Sequence, residues 1–146
     1  MDDVRESRSV PVWYWVVAVA ALLFEAFGCF NYLVYVSMSP EQLATLPLDQ
    51  QAVVNATPVW ITAAYAIAVW IGLLGALLLF LRRKHAEILL LISLIAVVVQ
   101  FGSVLLVGAL RDLTPADAYG PPIIVTLIAY GLWHFARLAR KRGWLR

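Results

Sequence analysis

Charge is scarce in this chain: 14% of its 146 residues are charged and 63% hydrophobic, with a mean hydropathy of +0.84. Soluble domains run near ~25% charged, so a water-facing globular fold is excluded. Cys29 is the single cysteine, which rules out an intrachain disulfide and any Cys-based metal or haem motif. The two histidines are His85 and His134, and the sequence contains no HExxH run, carboxylate cluster or Ser-His-Asp set. A bis-histidine haem would need both histidines, and His85 falls in a turn too near the surface. Neither a cofactor nor an enzymatic activity is expected, and too few residues lie outside the apolar runs to bury the core of a catalytic domain.

What the chain does have is four apolar runs of membrane-spanning length, covering about two thirds of it. The first runs from about Pro11 to Ser37, opening on Trp13-Tyr14-Trp15, a cluster suited to the headgroup level. The second runs from Pro58 to Leu81, with Trp60 just inside, and ends against Arg82-Arg83-Lys84. The third spans about Ala86 to Leu110, so close behind the second that the two must form an antiparallel hairpin. The fourth follows Gly120-Pro121-Pro122 and continues to about Ala139, with Arg137 able to snorkel to the interface. The expected fold is a single all-α membrane domain, a bundle of four transmembrane helices.

Its orientation follows from the basic residues. Ten of the eleven fall in the N-terminal tail, the turn between the second and third spans, and the C-terminus; Arg111 alone falls in the other two connections. The positive-inside rule then puts both termini in the cytoplasm. The basic tail is read as a topology signal with affinity for anionic lipid. A nucleic-acid partner would need a folded basic surface that this chain lacks.

The first external connection, 38–57, is longer than a turn requires. Ser39-Pro40-Glu41-Gln42 combines an N-cap, a first-position proline and acceptors in the first turn, predicting a short helix that ends near Pro47, with a second short segment after it. Both pieces are expected to lie on the outer interface or cap the bundle. The second external loop, Arg111 to Gly120, is read as solvated, with a turn beginning at Thr114-Pro115. The first apolar stretch is too long for a signal peptide and contains Glu25, so it is read as a retained span.

The chemistry resides in polar groups inside the spans. Glu25, Trp70, Gln100 and Tyr130, one per span, all fall near mid-membrane. An ionised carboxylate there costs at least ~3 kcal/mol, so Glu25 is expected to face the bundle interior, a cavity or a partner. Gly28 and Tyr32 share its helical face, Cys29 lies beside them, and Asn31 points elsewhere. Ser93, Gln100 and Ser103 form a polar stripe on the third span, as do Thr126, Tyr130 and His134 on the fourth. On the second span Ala64, Ala68, Gly72 and Ala76 recur every four residues with Gly75 adjacent, a spacing expected to admit a neighbouring helix of the same chain.

Two readings of this constellation compete. In one, Glu25 binds a proton or solute, with Tyr32, Gln100 and Tyr130 hydrogen-bonding a polar ligand and Trp70 stacking on it, as suits a sugar ring or organic cation. In the other, Glu25 and Gln100 hydrogen-bond across the bundle and hold the helices in register.

The runs Glu25-Ala-Phe-Gly28-Cys-Phe-Asn31-Tyr32-Leu, Pro58-Val-Trp60, Gly72-Leu-Leu-Gly75 ahead of Arg82-Arg-Lys, then Gln100 and the ending Gly143-Trp144-Leu resemble a family of small bacterial four-span inner-membrane proteins provisionally labelled sugar transporters. The mid-membrane glutamate is also similar to that of the small multidrug resistance transporters. This chain departs from those in its greater length, its first external loop and its strong charge bias. The resemblances imply a bacterial cytoplasmic-membrane location. The expected function is binding or transport of a small polar solute around Glu25, with lipids and a homo-oligomer as partners; the alternative is a non-catalytic accessory subunit of a larger membrane complex.

Overall fold

Prolines set where two of the long helices begin. Pro11 and Pro58 each adopt extended dihedrals as N-caps, at φ −64° with ψ near 150°, and the chain turns helical one residue later. A computed structural model describes residues 9–146 and has seven helices: α1 Val12–Val36, α2 Pro40–Ala44, α3 Leu48–Ala56, α4 Val59–Phe80, α5 Ala86–Leu106, α6 Gly108–Leu113 and α7 Gly120–Lys141, with a 3-10 turn at Ala116–Tyr119. Arg5 and Arg8 of the basic count lie outside the described residues. Four helices are long and apolar enough to cross a membrane: α1, α4, α5, and α7 taken together with the 3-10 turn. The protein is therefore an all-helical, multi-pass membrane protein by length and composition.

The packing order is α1 on α4, α4 on α5, and α5 on α7. Small residues make this possible. Ala64, Ala68, Gly72, Gly75 and Ala76 are all buried, and a Cβ at Gly75 would stand 2.9 Å from Leu90 Cγ and 3.2 Å from the Leu90 backbone nitrogen. The predicted close approach is thus intramolecular, between α4 and α5. On α7 the inward face is Ala129, Leu132, Ala136 and Ala139, spaced at helical period.

One end of the bundle is locked by two paired helix stops. After α4, Arg83 N donates to Leu78 O and Arg82 N to Leu79 O; after α7, Trp144 N donates to Ala139 O and Gly143 N to Arg140 O. Both are Schellman motifs, with Arg82 (φ 59°) and Gly143 (φ 72°) in the left-handed position. The two stops then join. Lys84 N donates to Arg146 O at 2.8 Å, Arg146 N to Arg82 O at 2.7 Å, and Arg82 Nε to Trp144 O at 2.9 Å. This seats Trp144 and Leu145 in the core, where Trp144 packs edge-on against Trp13 and Tyr14.

Three expectations are corrected. Tyr14, grouped with Trp13 and Trp15 as a headgroup residue, is fully buried and donates its hydroxyl to Leu79 O at 2.5 Å, while its two tryptophan neighbours stay exposed. At helical period a residue between two lipid-facing neighbours can point inward. The third span ends at Leu106, not Leu110, because Val107 is extended (ψ 103°) and the chain restarts as α6, burying Leu110. Hence part of the connection expected as a plain loop is helical, and α6 packs against α3. Ser39 is the predicted N-cap and, with Gln42, closes a reciprocal capping box, but α2 stops at Ala44, and α3 follows from Leu48.

Candidate functional site

At mid-helix on α1, Glu25 is buried, 5% exposed. Its place is made by a missing side chain on α4. A Cβ added at Gly72 would collide with Glu25 Oε2, lie 2.6 Å from Cδ and stand 2.8 Å from Ser93 Oγ. The carboxyl and the Ser93 hydroxyl therefore converge on one spot over the Gly72 backbone. Ser93 itself is held by α4, donating to Ala68 O at 2.7 Å across the α4–α5 interface. One turn beyond Glu25, Cys29 Sγ lies 3.3 Å from Val69 O, and Gly28 lets Val69 come close.

Beside the carboxyl lies a cavity of about 330 Å³. Glu25, Phe24, Phe27, Gly28 and Asn31 of α1 form one wall; Tyr65, Ala68 and Val69 of α4, Ser93, Val97, Gln100 and Phe101 of α5, and Val125 and Ala129 of α7 complete it. All four long helices contribute. The volume is at the low end of the roughly 300–1,000 Å³ typical of small-molecule sites. Toward the end that carries α2, α3 and α6, a second cavity of about 200 Å³ shares Tyr65, Gln100 and Phe101 with the first. Those three residues line both.

Of the five residues singled out from the sequence, Glu25 and Gln100 are brought to the same cavity. Tyr32 is half-buried and packs edge-on against Tyr65, ring centroids 5.2 Å apart, so it backs the cavity wall without lining it. Trp70 and Tyr130 point away: they are 44% and 51% exposed, and Tyr130 stacks on His134 at 6.0 Å on the outer face of α7. Depth alone set these two beside Glu25, but each is one residue off an inward position, Val69 and Ala129 respectively. The expected α7 polar stripe does not face the cavity, and Thr126 donates to Pro122 O of its own helix. On α5, Ser103 likewise donates to Val99 O of its own helix.

Asn31 is a correction in the other direction. Read as pointing away, it lines the cavity and donates to Phe27 O at 2.8 Å. It continues the Phe24, Phe27, Gly28 stripe at three- and four-residue steps, a signal visible in the sequence once the cavity is known to extend along that side of α1. The aromatic wall of Phe24, Phe27, Tyr65 and Phe101 had no such signal, because aromatic residues also fill the lipid-facing positions. Among the described residues, no group of three or more His, Cys, Asp or Glu comes together to hold a metal ion.

No protein-family model, curated protein or solved structure matches this chain.

Proposed function

We propose that this protein binds a small solute at the Glu25 cavity and carries it across a bacterial cytoplasmic membrane, both termini facing the cytoplasm. The observation that carries this reading is the convergence of Glu25, Gln100 and Ser93 on a cavity lined by all four long helices. A carboxyl placed there only to hold helices together would need a partner side chain, not open volume beside it. Lipid penalises a bare carboxylate, so the site calls for a counter-charge, either a proton or a cationic ligand. Four spans are few for alternating access, which favours a homo-oligomer as the transporting unit.

The alternative reading, an accessory subunit of a larger membrane complex, is favoured by the outward Tyr130 and His134, since polar side chains on a membrane helix commonly seek a protein partner. The experiment compares wild type with Glu25→Gln, which keeps the shape and removes the titrating group. Both are expected to insert and fold alike, with at most ~1–2 kcal/mol lost. In liposomes under an imposed pH gradient, wild type should accumulate solute and the variant should not. Equal uptake by both would remove the titrating role of Glu25. Uptake by neither, with a larger complex recovered from native membranes, would favour the accessory subunit.

A further inference from the structure

At the end of the bundle closed by the C-terminal segment, we infer a site for the headgroup of an anionic lipid carrying two phosphates, centred on Arg83 and Arg146. The two backbone bonds that join the helix stops, Arg146 N to Arg82 O and Lys84 N to Arg146 O, flank Arg83 and meet on Arg146. That is the pattern of one rung of a parallel ladder. Arg83 and Arg146 are therefore lateral neighbours, their backbones roughly 5 Å apart. Both are exposed, while Leu145 just before is buried in the core. The fold thus sets two arginines from distant parts of the chain side by side, and like charges so placed repel.

Among the described residues nothing answers them. Glu87 is the acid at this end, and Arg140 Nη1 holds it at 2.7 Å. A carboxylate on Arg146 itself would offset one charge, and Lys84 and Arg142, exposed on the two joined segments, restore the surplus. The group that suits adjacent guanidiniums is phosphate, whose oxygens accept a two-bond fork from each. A single phosphodiester leaves one arginine unmatched; a headgroup with two phosphodiesters matches both. Depth selects a lipid over a free phosphate. Arg142 Cζ lies 5.1 Å from the centre of the Trp144 ring, Trp144 packs on Trp13, and Trp13 and Trp15 are exposed at the start of α1, as in a headgroup-level belt. Val12 and Val16, also exposed there, offer apolar surface to the acyl chains. A basic tail attracts anionic lipid through its net charge alone, whereas a bridged pair also distinguishes one headgroup from another. Glu25 takes no part, so this site stands or falls apart from solute binding.

The test titrates the protein in a nonionic detergent with diphosphatidylglycerol, phosphatidylglycerol, phosphatidylcholine and inorganic pyrophosphate, counting bound molecules by native mass spectrometry. Full-length protein is used, so that Asp2, Asp3 and Glu6 remain as internal competitors. One diphosphatidylglycerol is expected to bind first, with half-saturation at least about tenfold below that of phosphatidylglycerol at equal phosphate. Phosphatidylcholine and pyrophosphate should bind more weakly than either. Arg83→Gln combined with Arg146→Gln should erase the preference for two phosphates. Arg137→Gln combined with Lys141→Gln removes as much charge from the same end and should keep it. Equal binding of the two anionic lipids, or equal loss of preference in both double variants, would overturn the site and leave diffuse attraction alone. Pyrophosphate binding as tight as that of diphosphatidylglycerol would overturn the lipid as occupant, and the absence of any adduct on protein folded by circular dichroism would overturn the inference outright. Where the Arg83 and Arg146 double variant does not fold, the wild-type preference and its loss in Arg83→Gln alone decide.

Discussion

Gly72 has no side chain, and the Glu25 carboxyl occupies the space one would fill. Gly72→Ala must therefore push the carboxyl off the α4 backbone or spread α1 from α4. Overpacking of this kind costs about 1–3 kcal/mol, and a lowered midpoint in detergent-unfolding measurements is the expected result; solute uptake should fall with it, because the displaced carboxyl enters the cavity. The outward residues give the control. Trp70→Leu and Tyr130→Phe change side chains that face away from the cavity, so uptake by either variant is expected to stay within about twofold of wild type, as substitutions that touch neither packing nor ligand usually do. A loss of uptake in Trp70→Leu protein that folds and assembles as wild type does would contradict the outward placement.

The element that most repays attention is the short C-terminal segment after α7. Its backbone pairs with the α4–α5 turn, and through Trp144 it reaches α1, so three separate parts of the chain are tied at one end. Trp144 is 8% exposed. Trp144→Ala empties that seat and should cost about 3 kcal/mol, read as a lower melting temperature in detergent and faster proteolysis of the C-terminus. The cavity lies well away along the helices, so residual folded protein is expected to keep solute affinity. Arg82→Gly is informative in the same place: it relieves the left-handed backbone of a non-glycine residue, which costs about 1 kcal/mol, but it removes the Nε bond to Trp144 O. A net loss of stability would show that the side-chain tie outweighs the backbone strain.

For the whole molecule the decisive measurement is sidedness. Single cysteines placed at the C-terminus and in the Arg82 to His85 turn should react with a membrane-impermeant maleimide from the cytoplasmic face only, and those placed at 40–57 and 111–120 from the opposite face only, following the ten-to-one partition of basic residues. The native Cys29 does not interfere, because it is buried against Val69. Labelling of 40–57 from the cytoplasmic face would reverse the orientation.

Composition and charge by themselves determined that this is a membrane protein, how many spans it has and where most of them start, since burial in lipid demands about 20 apolar residues per helix whatever the neighbours are. The small-residue stripe on α4 and the Ser39 N-cap before Pro40 were legible because both are local patterns of helical sequence. The inward place of Glu25 was legible as well, because lipid gives a carboxyl no alternative. Rotation was not legible. In lipid an apolar residue is equally at ease on either face of a helix, so hydrophobicity does not tell Val69 from Trp70 or Ala129 from Tyr130, and only the packing of α1, α4, α5 and α7 decided that the former point inward. The burial of Tyr14 and the docking of Trp144 likewise needed the tertiary structure, because each depends on a partner more than sixty residues away in the chain, Leu79 O for the first and the Arg82 side chain for the second.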